Sequence, residues 1–329
     1  MADLISKIGV IGVGHLGQHH VKHLSNNNAI SFSGIFDVDT DRANKIAVEY
    51  NCNAHDSLND LLNNCDAVSI VTPTLTHAKI AEQCIMAGKH VFIEKPITKT
   101  VAEADRLLNL AAENNVLIQV GHIERLNPAL IPLKNFELNP KYIEVQRLAP
   151  YTVRGTDVPV VLDLMIHDID IILSLVNSPV KNIRASGVSI LSDSVDIANA
   201  RLRFENGTVA SITSSRIARD KVRKIKIFQK DMYVTIDFLL GLTEIYRVLE
   251  ADQDDPDALE TASLEAYGNH KKIVYEKPDI NQFDALEMEL TNFIQSINGN
   301  DKPIVNGQAG RDALDVAVKI HDMILDDIH

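Results

Sequence analysis

An apolar strand that runs straight into a glycine-spaced turn constrains this chain more than any other feature. Residues 8–17 read Ile-Gly-Val-Ile-Gly-Val-Gly-His-Leu-Gly. In Gly12-x-Gly14-x-x-Gly17 each glycine answers a separate demand of a dinucleotide site. Gly12 permits the tight turn out of the strand, Gly14 lets the backbone approach a pyrophosphate, and Gly17 lets the following helix pack closely on the strand. That helix directs its first N–H groups and the positive end of its dipole at the phosphates. The next strand-like segment, 30–36, ends at Asp37, about 20 residues past the motif, where a carboxylate accepts hydrogen bonds from an adenosine ribose. The same carboxylate repels a 2′-phosphate, so NAD is expected rather than NADP. Arg42 is the nearby group suited to a phosphate, and capping of the next helix is the plainer role for Asp37 and Asp39.

At 329 residues the chain has room for two domains with separate cores, and 45% hydrophobic content fits a globular protein. No apolar run approaches the roughly 20 residues of a membrane helix. Met1-Ala2-Asp3-Leu4 leads almost directly into the first strand without a signal-like segment, so a cytoplasmic protein is expected. A formal net charge of -13 argues against nucleic acid and anionic membranes as partners, because both call for a basic patch. Cys52, Cys65 and Cys84 form no CxxC pair, which fits a reducing compartment and argues against a disulfide framework or a zinc site. His15, His19 and His23 share a helix face, but no nearby carboxylate or cysteine completes a ligand set, so no metal is expected.

Residues 5–121 alternate strand and helix, with strands expected at 7–12, 30–36, 67–71, 90–93 and 116–120. A helix over 76–87 stops at Gly88, and another opens with the capping box Thr100-x-x-Glu103. This alternation implies a doubly wound parallel sheet whose ligands sit beyond the carboxyl ends of its strands, where Thr72-Pro73 and Glu94-Lys95-Pro96 fall. After Gly121 a proline-punctuated loop leads to a strand at 142–148, a strongly apolar helix at 160–176, and alternating runs at 181–190, 198–204, 208–215, 222–229 and 232–237. These runs predict a mostly antiparallel open sheet in an α+β domain. The acidic 250–270 segment reads as a mobile surface excursion, and two helices, 281–297 and 309–326, end the chain. The expected division is a dinucleotide-binding domain over 1–122 and a substrate-binding and oligomerisation domain over 123–329.

Three constellations carry chemistry. Lys95 follows the apolar strand Val91-Phe92-Ile93 and is held by Pro96, so its ammonium is suited to bind a substrate hydroxyl and stabilise negative charge developing there; a surface lysine is the bland alternative. Asp163 and His167, spaced i, i+4, share a face of a helix that is apolar almost all round, where a carboxylate and an imidazole need each other or a polar cavity. Histidine is a natural general base near neutral pH, and a carboxylate orients it or binds a vicinal hydroxyl; a satisfied core pair is the alternative. Asp168 and Asp170 face solvent or make structural contacts in this reading. Third, His122, Glu124, Arg125 and Asn127 follow the last strand of the first domain, and Tyr151 and Arg154 precede the Asp163 helix. Substrate contacts and purely structural roles are equally open for all six.

Together Gly12-x-Gly14-x-x-Gly17, Glu94-Lys95-Pro96 and Asp163 with His167 resemble the glucose–fructose oxidoreductase / inositol dehydrogenase (Gfo/Idh/MocA) family over essentially the whole chain. The stretches 121–129 and 154–170 are most similar to the UDP-N-acetylglucosamine 3-dehydrogenases within it, with Leu126 standing where phenylalanine is expected. The resemblance implies an N-terminal Rossmann domain and a C-terminal domain whose open sheet joins homodimers or homotetramers. It implies Lys95 and His167 as catalytic residues, with Asp163 binding or orienting the substrate. The expected cofactor contacts are Gly12, Gly14, His15, Leu16, Gly17, Asp37, Thr72, Pro73, His77, Glu94 and Lys95. The activity implied is NAD-dependent oxidation of a secondary hydroxyl, at C3 of a UDP-N-acetylhexosamine. A free sugar or inositol is the alternative substrate, and a non-catalytic NAD-binding regulator is the alternative class. Such a regulator has little use for lysine, aspartate and histidine all in place.

Overall fold

A computed structural model describes residues 6–152, 158–253, 255–263 and 271–328. It forms two compact units, Met1–Ile123 with Asp284–Asp315, and Glu124–Phe283 with Val316–His329.

The first unit is built on five parallel strands, β1 (Lys7–Ile11), β2 (Ser31–Phe36), β3 (Ala67–Ile70), β4 (His90–Glu94) and β5 (Ile118–Gly121), in the order β2-β1-β3-β4-β5. β1, β3 and β4 are buried along nearly their whole length, as strands covered by helices on both faces must be. The helices are α1 (His15–Ser25), α2 (Thr40–Glu49), α3 (Leu58–Asn63), α4 (Thr74–Met86) and α5 (Val101–Glu113). α5 opens with the predicted capping box: Glu103 N–H donates to Thr100 Oγ1 at 3.3 Å, and Thr100 N–H donates to Glu103 Oε2 at 3.0 Å. Burial pushes the Cys84 thiol up to about 12 and that of Cys65 to about 11, so both are inert core residues.

The division expected from the sequence, 1–122 and 123–329, is corrected at the C-terminal end. Helix α7 (Ala285–Ile297) belongs to the first unit because its apolar face completes that core. The ring of Phe293 lies 5.8 Å from that of Phe92, and Leu290 and Ile294 are buried beside it. Val120 N–H donates to Val305 O at 2.9 Å, so the segment after α7 also pairs with β5.

The second unit holds a nine-stranded sheet among the described residues. Its strands are β6 (Tyr142–Leu148), β7 (Val180–Val188), β8 (Ile197–Phe204), β9 (Val209–Ser215), β10 (Val222–Gln229), β11 (Met232–Asp237), β12 (Leu242–Glu250), β13 (Glu260–Ser263) and β14 (Lys271–Glu276). They run in the order β13-β14-β12-β11-β10-β6-β9-β8-β7, and every adjacent pair is antiparallel except β6 with β9. Alternation sorts the residues between faces: Ile143, Val145, Ile225, Ile227, Val234, Ile236 and Ile245 are fully or almost fully buried. On the other face Tyr142, Phe228, Tyr233, Tyr246 and Tyr275 form a row, with successive ring centroids 5.9, 4.7, 5.7 and 5.0 Å apart.

Three strands lie outside the sequence reading. β12 and β14 pair with each other through Tyr246 and Tyr275, and β13 comes from within the segment read as a surface excursion. Asp255 of that segment pairs with Arg247, while residues 254 and 264–270 lie outside the described residues. A four-residue strand is created by its partner and has little local signature.

The apolar helix expected over 160–176 is present but not uniform. It opens as a wide turn, Val161–Met165, in which Ile166 N–H reaches Val161 O five residues back, and continues as α6 (Ile166–Val176). Asp163 lies in the wide turn and His167 in the first turn of α6, so the simple α-helical i, i+4 relation does not describe them. The last helix is α8 (Gly307–Ile328). No helix among the described residues is long and apolar enough to cross a membrane.

His77, His90 and His321 are all held below the ordinary imidazole value by burial. His90 Nδ1 accepts the Leu117 N–H at 2.9 Å, a bond that protonation there would break. The unfolded chain therefore takes up protons first as the pH falls through about 6.5, and stability, full above that value, declines below it. Thermal melts should show Tm falling from pH 7.5 to 5.5, and His90→Asn, which keeps an acceptor but cannot titrate, should fall less.

Candidate functional site

In the glycine turn after β1 the steric demands on Gly12 and Gly17 are visible in the packing. Gly12 has φ +87°, and a Cβ there would lie 2.6 Å from Val71 O. A Cβ on Gly17 would lie 2.0 Å from Gly12 O, so only glycine lets α1 start this close to the turn. A Cβ on Gly14 would meet nothing within 4 Å. The chain's own packing thus does not require glycine at 14, whereas close approach of a phosphate does. Gly14 caps α1 without a side-chain hydrogen bond, and His15 and Leu16 are exposed beside it. These residues fit a dinucleotide pyrophosphate.

Asp37, buried at the end of β2, accepts Val13 N–H at 2.8 Å and Asp39 N–H at 2.9 Å. Arg42 Nη1 lies 3.6 Å from Asp37, and its Nη2 donates to Asp39 at 2.6 Å. The Arg42 backbone N–H, and then its guanidinium, hold Asp39 below the usual carboxylate range. Asp39 also caps α2, as the plain reading had it, whereas Asp37 ties the ends of β1 and β2 together.

At the ends of β3 and β4, Thr72 is half-buried and Pro73 exposed at the start of α4. His77, expected as a cofactor contact, lies against the chain's own backbone. It is buried, its Nε2 lies 2.8 Å from Thr72 O and its Nδ1 2.9 Å from Pro96 O, and the one N–H of the neutral ring donates to one of these carbonyls. Burial lowers its pKa against the pull of those carbonyls and of Glu94. Glu94 is likewise engaged within the chain: Oε2 accepts Lys95 N–H at 3.2 Å, and Oε1 lies 3.0 Å from Nε2 of His20. A carboxylate only accepts, so His20 Nε2–H donates to it and Nδ1, 2.8 Å from Ser69 Oγ, takes the hydroxyl proton of Ser69 when the ring is neutral. His20 escaped the sequence reading, which followed the stripe His15, His19, His23. The signal was a polar residue on the buried face of α1, beside Gly17, Val21 and Leu24. Lys95 is half-buried, its peptide bond to Pro96 is cis, and His122 is buried just after β5.

In the second unit Asp163 and His167 are both half-buried. Their neighbours Asp168 and Asp170 do not face solvent. Arg147 Nε and Nη2 donate to the two oxygens of Asp168 at 2.8 Å each, and Arg125 Nε and Nη2 to those of Asp170 at 2.7 Å each. Glu124 accepts from Arg147 at 3.2 Å and from Arg223 at 3.1 Å. Burial opposes the charge on Arg147, yet Asp168 and Glu124 raise its pKa above the ordinary arginine value; burial pushes the Asp168 carboxyl up, against the pull of Arg147. Asn127 accepts Ala129 N–H at 3.1 Å and caps the turn 128–135. Of the two open readings for Glu124, Arg125 and Asn127, the structural one describes these side chains, because buried charges need partners. Tyr151 is 42% exposed, and Arg154 lies outside the described residues.

Two outcomes follow. Gly17→Ala should lower Tm through its clash with Gly12 O, whereas Gly14→Ala should leave Tm within a degree or two and weaken dinucleotide affinity by about tenfold or more, measured by calorimetry. Arg147→Met, which leaves Asp168 buried and unpaired, should cost about 3–5 kcal/mol in denaturant unfolding.

Residues 6–122 match the model of an oxidoreductase family with an NAD-binding Rossmann fold, and residues 147–233 match the GFO/IDH/MocA C-terminal domain. The chain is 38% identical over 316 residues to UDP-N-acetylglucosamine 3-dehydrogenase of Acidithiobacillus ferrooxidans, covering 95% of this chain and 96% of that one. It is 28% identical over 338 residues to myo-inositol 2-dehydrogenase of Thermotoga maritima, covering 94% and 93%. A solved structure of the Acidithiobacillus enzyme superposes with a TM-score of 0.87 at 36% identity, covering 98% of each chain. The dinucleotide turn, the parallel sheet that carries it and these matches over nearly the full length place the chain in the GFO/IDH/MocA family of oxidoreductases.

Proposed function

We propose that this protein is an NAD-dependent dehydrogenase that oxidises the C3 hydroxyl of a UDP-linked N-acetylhexosamine. The observation that carries the substrate class is the 38% identity, over nearly the whole of both chains, to a UDP-N-acetylglucosamine 3-dehydrogenase. The presence of Lys95, Asp163 and His167 together supports catalysis over a purely regulatory role.

Bound nicotinamide supplies the hydride acceptor, the chemistry that no side chain can provide. The protein's part is geometry and charge. His167 takes the proton of the substrate hydroxyl as the adjacent C–H bond breaks. Lys95 hydrogen-bonds the same oxygen and stabilises its partial negative charge. Asp163 orients the imidazole or binds a neighbouring hydroxyl. Tyr151 and Arg154 are proposed substrate contacts.

The preference for NAD rests on charge. The reading takes Asp37 as an acceptor for ribose hydroxyls, and Arg42 beside it is already paired with Asp39 and close to Asp37. Little positive charge is left to receive a 2′-phosphate. The outward aromatic row of the nine-stranded sheet supports assembly into a homodimer or homotetramer through that face.

The test is NADH formation, followed by absorbance with a carbonyl trap, on UDP-N-acetylglucosamine, UDP-N-acetylgalactosamine, their uronic acids, myo-inositol and glucose. Turnover confined to a UDP-sugar supports the proposal, and turnover confined to free polyols replaces the substrate while keeping the chemistry. Lys95→Ala and His167→Ala should each lower kcat by about 10²–10⁴-fold with NAD affinity retained. Asp37→Ser should shift the NAD:NADP ratio of kcat/KM towards NADP by about tenfold or more. Light scattering of the purified protein checks the assembly: a monomer would remove it from the proposal.

A further inference from the structure

Two buried imidazoles lie against the residues on either side of Lys95 in the chain. His20, from α1, has Nδ1 2.8 Å from Ser69 Oγ in β3 and Nε2 3.0 Å from Glu94 Oε1. His77, from α4, has Nε2 2.8 Å from Thr72 O, just past β3, and Nδ1 2.9 Å from Pro96 O. His20 thus joins β3 to Glu94, whereas the neutral His77 ring has one N–H for two carbonyls and, with the proton on Nδ1, donates to Pro96 O. Glu94 then closes on Lys95 itself, since its Oε2 accepts the Lys95 N–H at 3.2 Å. Gly121 bounds the carboxylate from β5: a Cβ there would lie 2.9 Å from Glu94 Cδ, so the group fills the space available to it.

Packing alone does not ask for this arrangement. His20 is fully buried among apolar neighbours, with the ring of Phe92 5.5 Å away. An aliphatic residue would fill that place without needing hydrogen-bond partners. Two imidazoles on two different helices, each spent on a residue adjacent to the same lysine, amount to a brace around one backbone position.

We propose that His20 and His77 are positioning residues for Lys95: His20 holds the Glu94 carboxylate and His77, with its proton on Nδ1, holds the Pro96 carbonyl, and so they fix the backbone from which the lysine works. The inference rests on the reading of Lys95 as the group that binds the reacting oxygen. Misplacing such a group by about 1 Å is enough to cost about 10²-fold in rate.

The test uses the full chain and the variants His20→Leu, His20→Gln, His77→Leu and Glu94→Gln, together with His20→Leu in the Glu94→Gln background. The first readout needs no substrate. Lys95 is labelled with limiting acetic anhydride, and its modification is read by mass spectrometry against the exposed Lys99 of the same molecule. His20→Leu and His77→Leu should each change the Lys95:Lys99 ratio by about threefold or more, and His20→Gln, which keeps an N–H donor, should change it less. His20→Leu should add little once Glu94 is glutamine, because both act on one carboxylate and coupled sites are not additive. The second readout is turnover with the UDP-sugar: kcat should fall about 10–100-fold, with sugar KM and NAD Kd within about twofold.

Wild-type labelling and kcat in the leucine variants, simple addition of the His20 and Glu94 effects, or a loss confined to NAD affinity would each overturn the proposal. If a leucine variant does not fold, His20→Gln and Glu94→Gln carry the same comparison. Lys95→Ala keeps the two readings apart. Wild-type turnover in that variant would remove Lys95 from the chemistry, while the labelling ratio would still report whether the histidines fix its place.

Discussion

The approach of α1 to the turn after β1 is the contact from which the dinucleotide half of this protein follows. Gly17 sits where any Cβ would be 2.0 Å from Gly12 O, so the helix starts hard against the strand end. Its first N–H groups are thereby presented beside Gly14, where the chain itself leaves room. One turn further on, the same approach buries His20 against Ser69 and Glu94. A single steric allowance for glycine therefore sets both the phosphate end of the site and a contact that reaches the backbone of Lys95.

The second unit solves a different problem. The segment carrying Asp163 and His167 is strongly apolar, yet Asp168 and Asp170 are each only 1% exposed. Their charges are met by Arg147 from β6 and Arg125 from the turn after residue 122, each with two parallel N–H donors. Fork-to-carboxylate pairing of this kind fixes orientation as well as charge, so α6 is keyed to the sheet through Arg147 and to that turn through Arg125, both close to His167. The wide turn Val161–Met165 immediately before α6 moves Asp163 off the regular helical register. Such turns recur at functional sites in helices.

Much of this organisation was legible in the order of residues. The five parallel strands were readable because strands buried on both faces are short apolar runs ended by turn residues, as Val91-Phe92-Ile93 before Glu94 shows. The capping box at Thr100 and the glycine turn were readable because their partners lie within three to five positions. β13 and β14 were not, because a short strand takes its conformation from the strand beside it. The parts assigned to Glu94, His77, Glu124 and Arg125 were not readable either. Their types suit a ligand, and the hydrogen bonds and ion pairs they make with distant groups leave no trace in local spacing.

By itself the sequence determined a dinucleotide-binding α/β half and an antiparallel half, and singled out candidate side chains for the chemistry, because those follow from local spacing and from residue chemistry. The tertiary structure alone decided which of the buried polar groups meet which partners within the chain. His20 meets partners 49 and 74 positions away, and Arg125 meets one 45 positions away. It also decided that α7 completes the first core rather than the second. The physical reason is that burial of charge and closure of a core are settled between residues far apart in the chain, where periodicity carries no information.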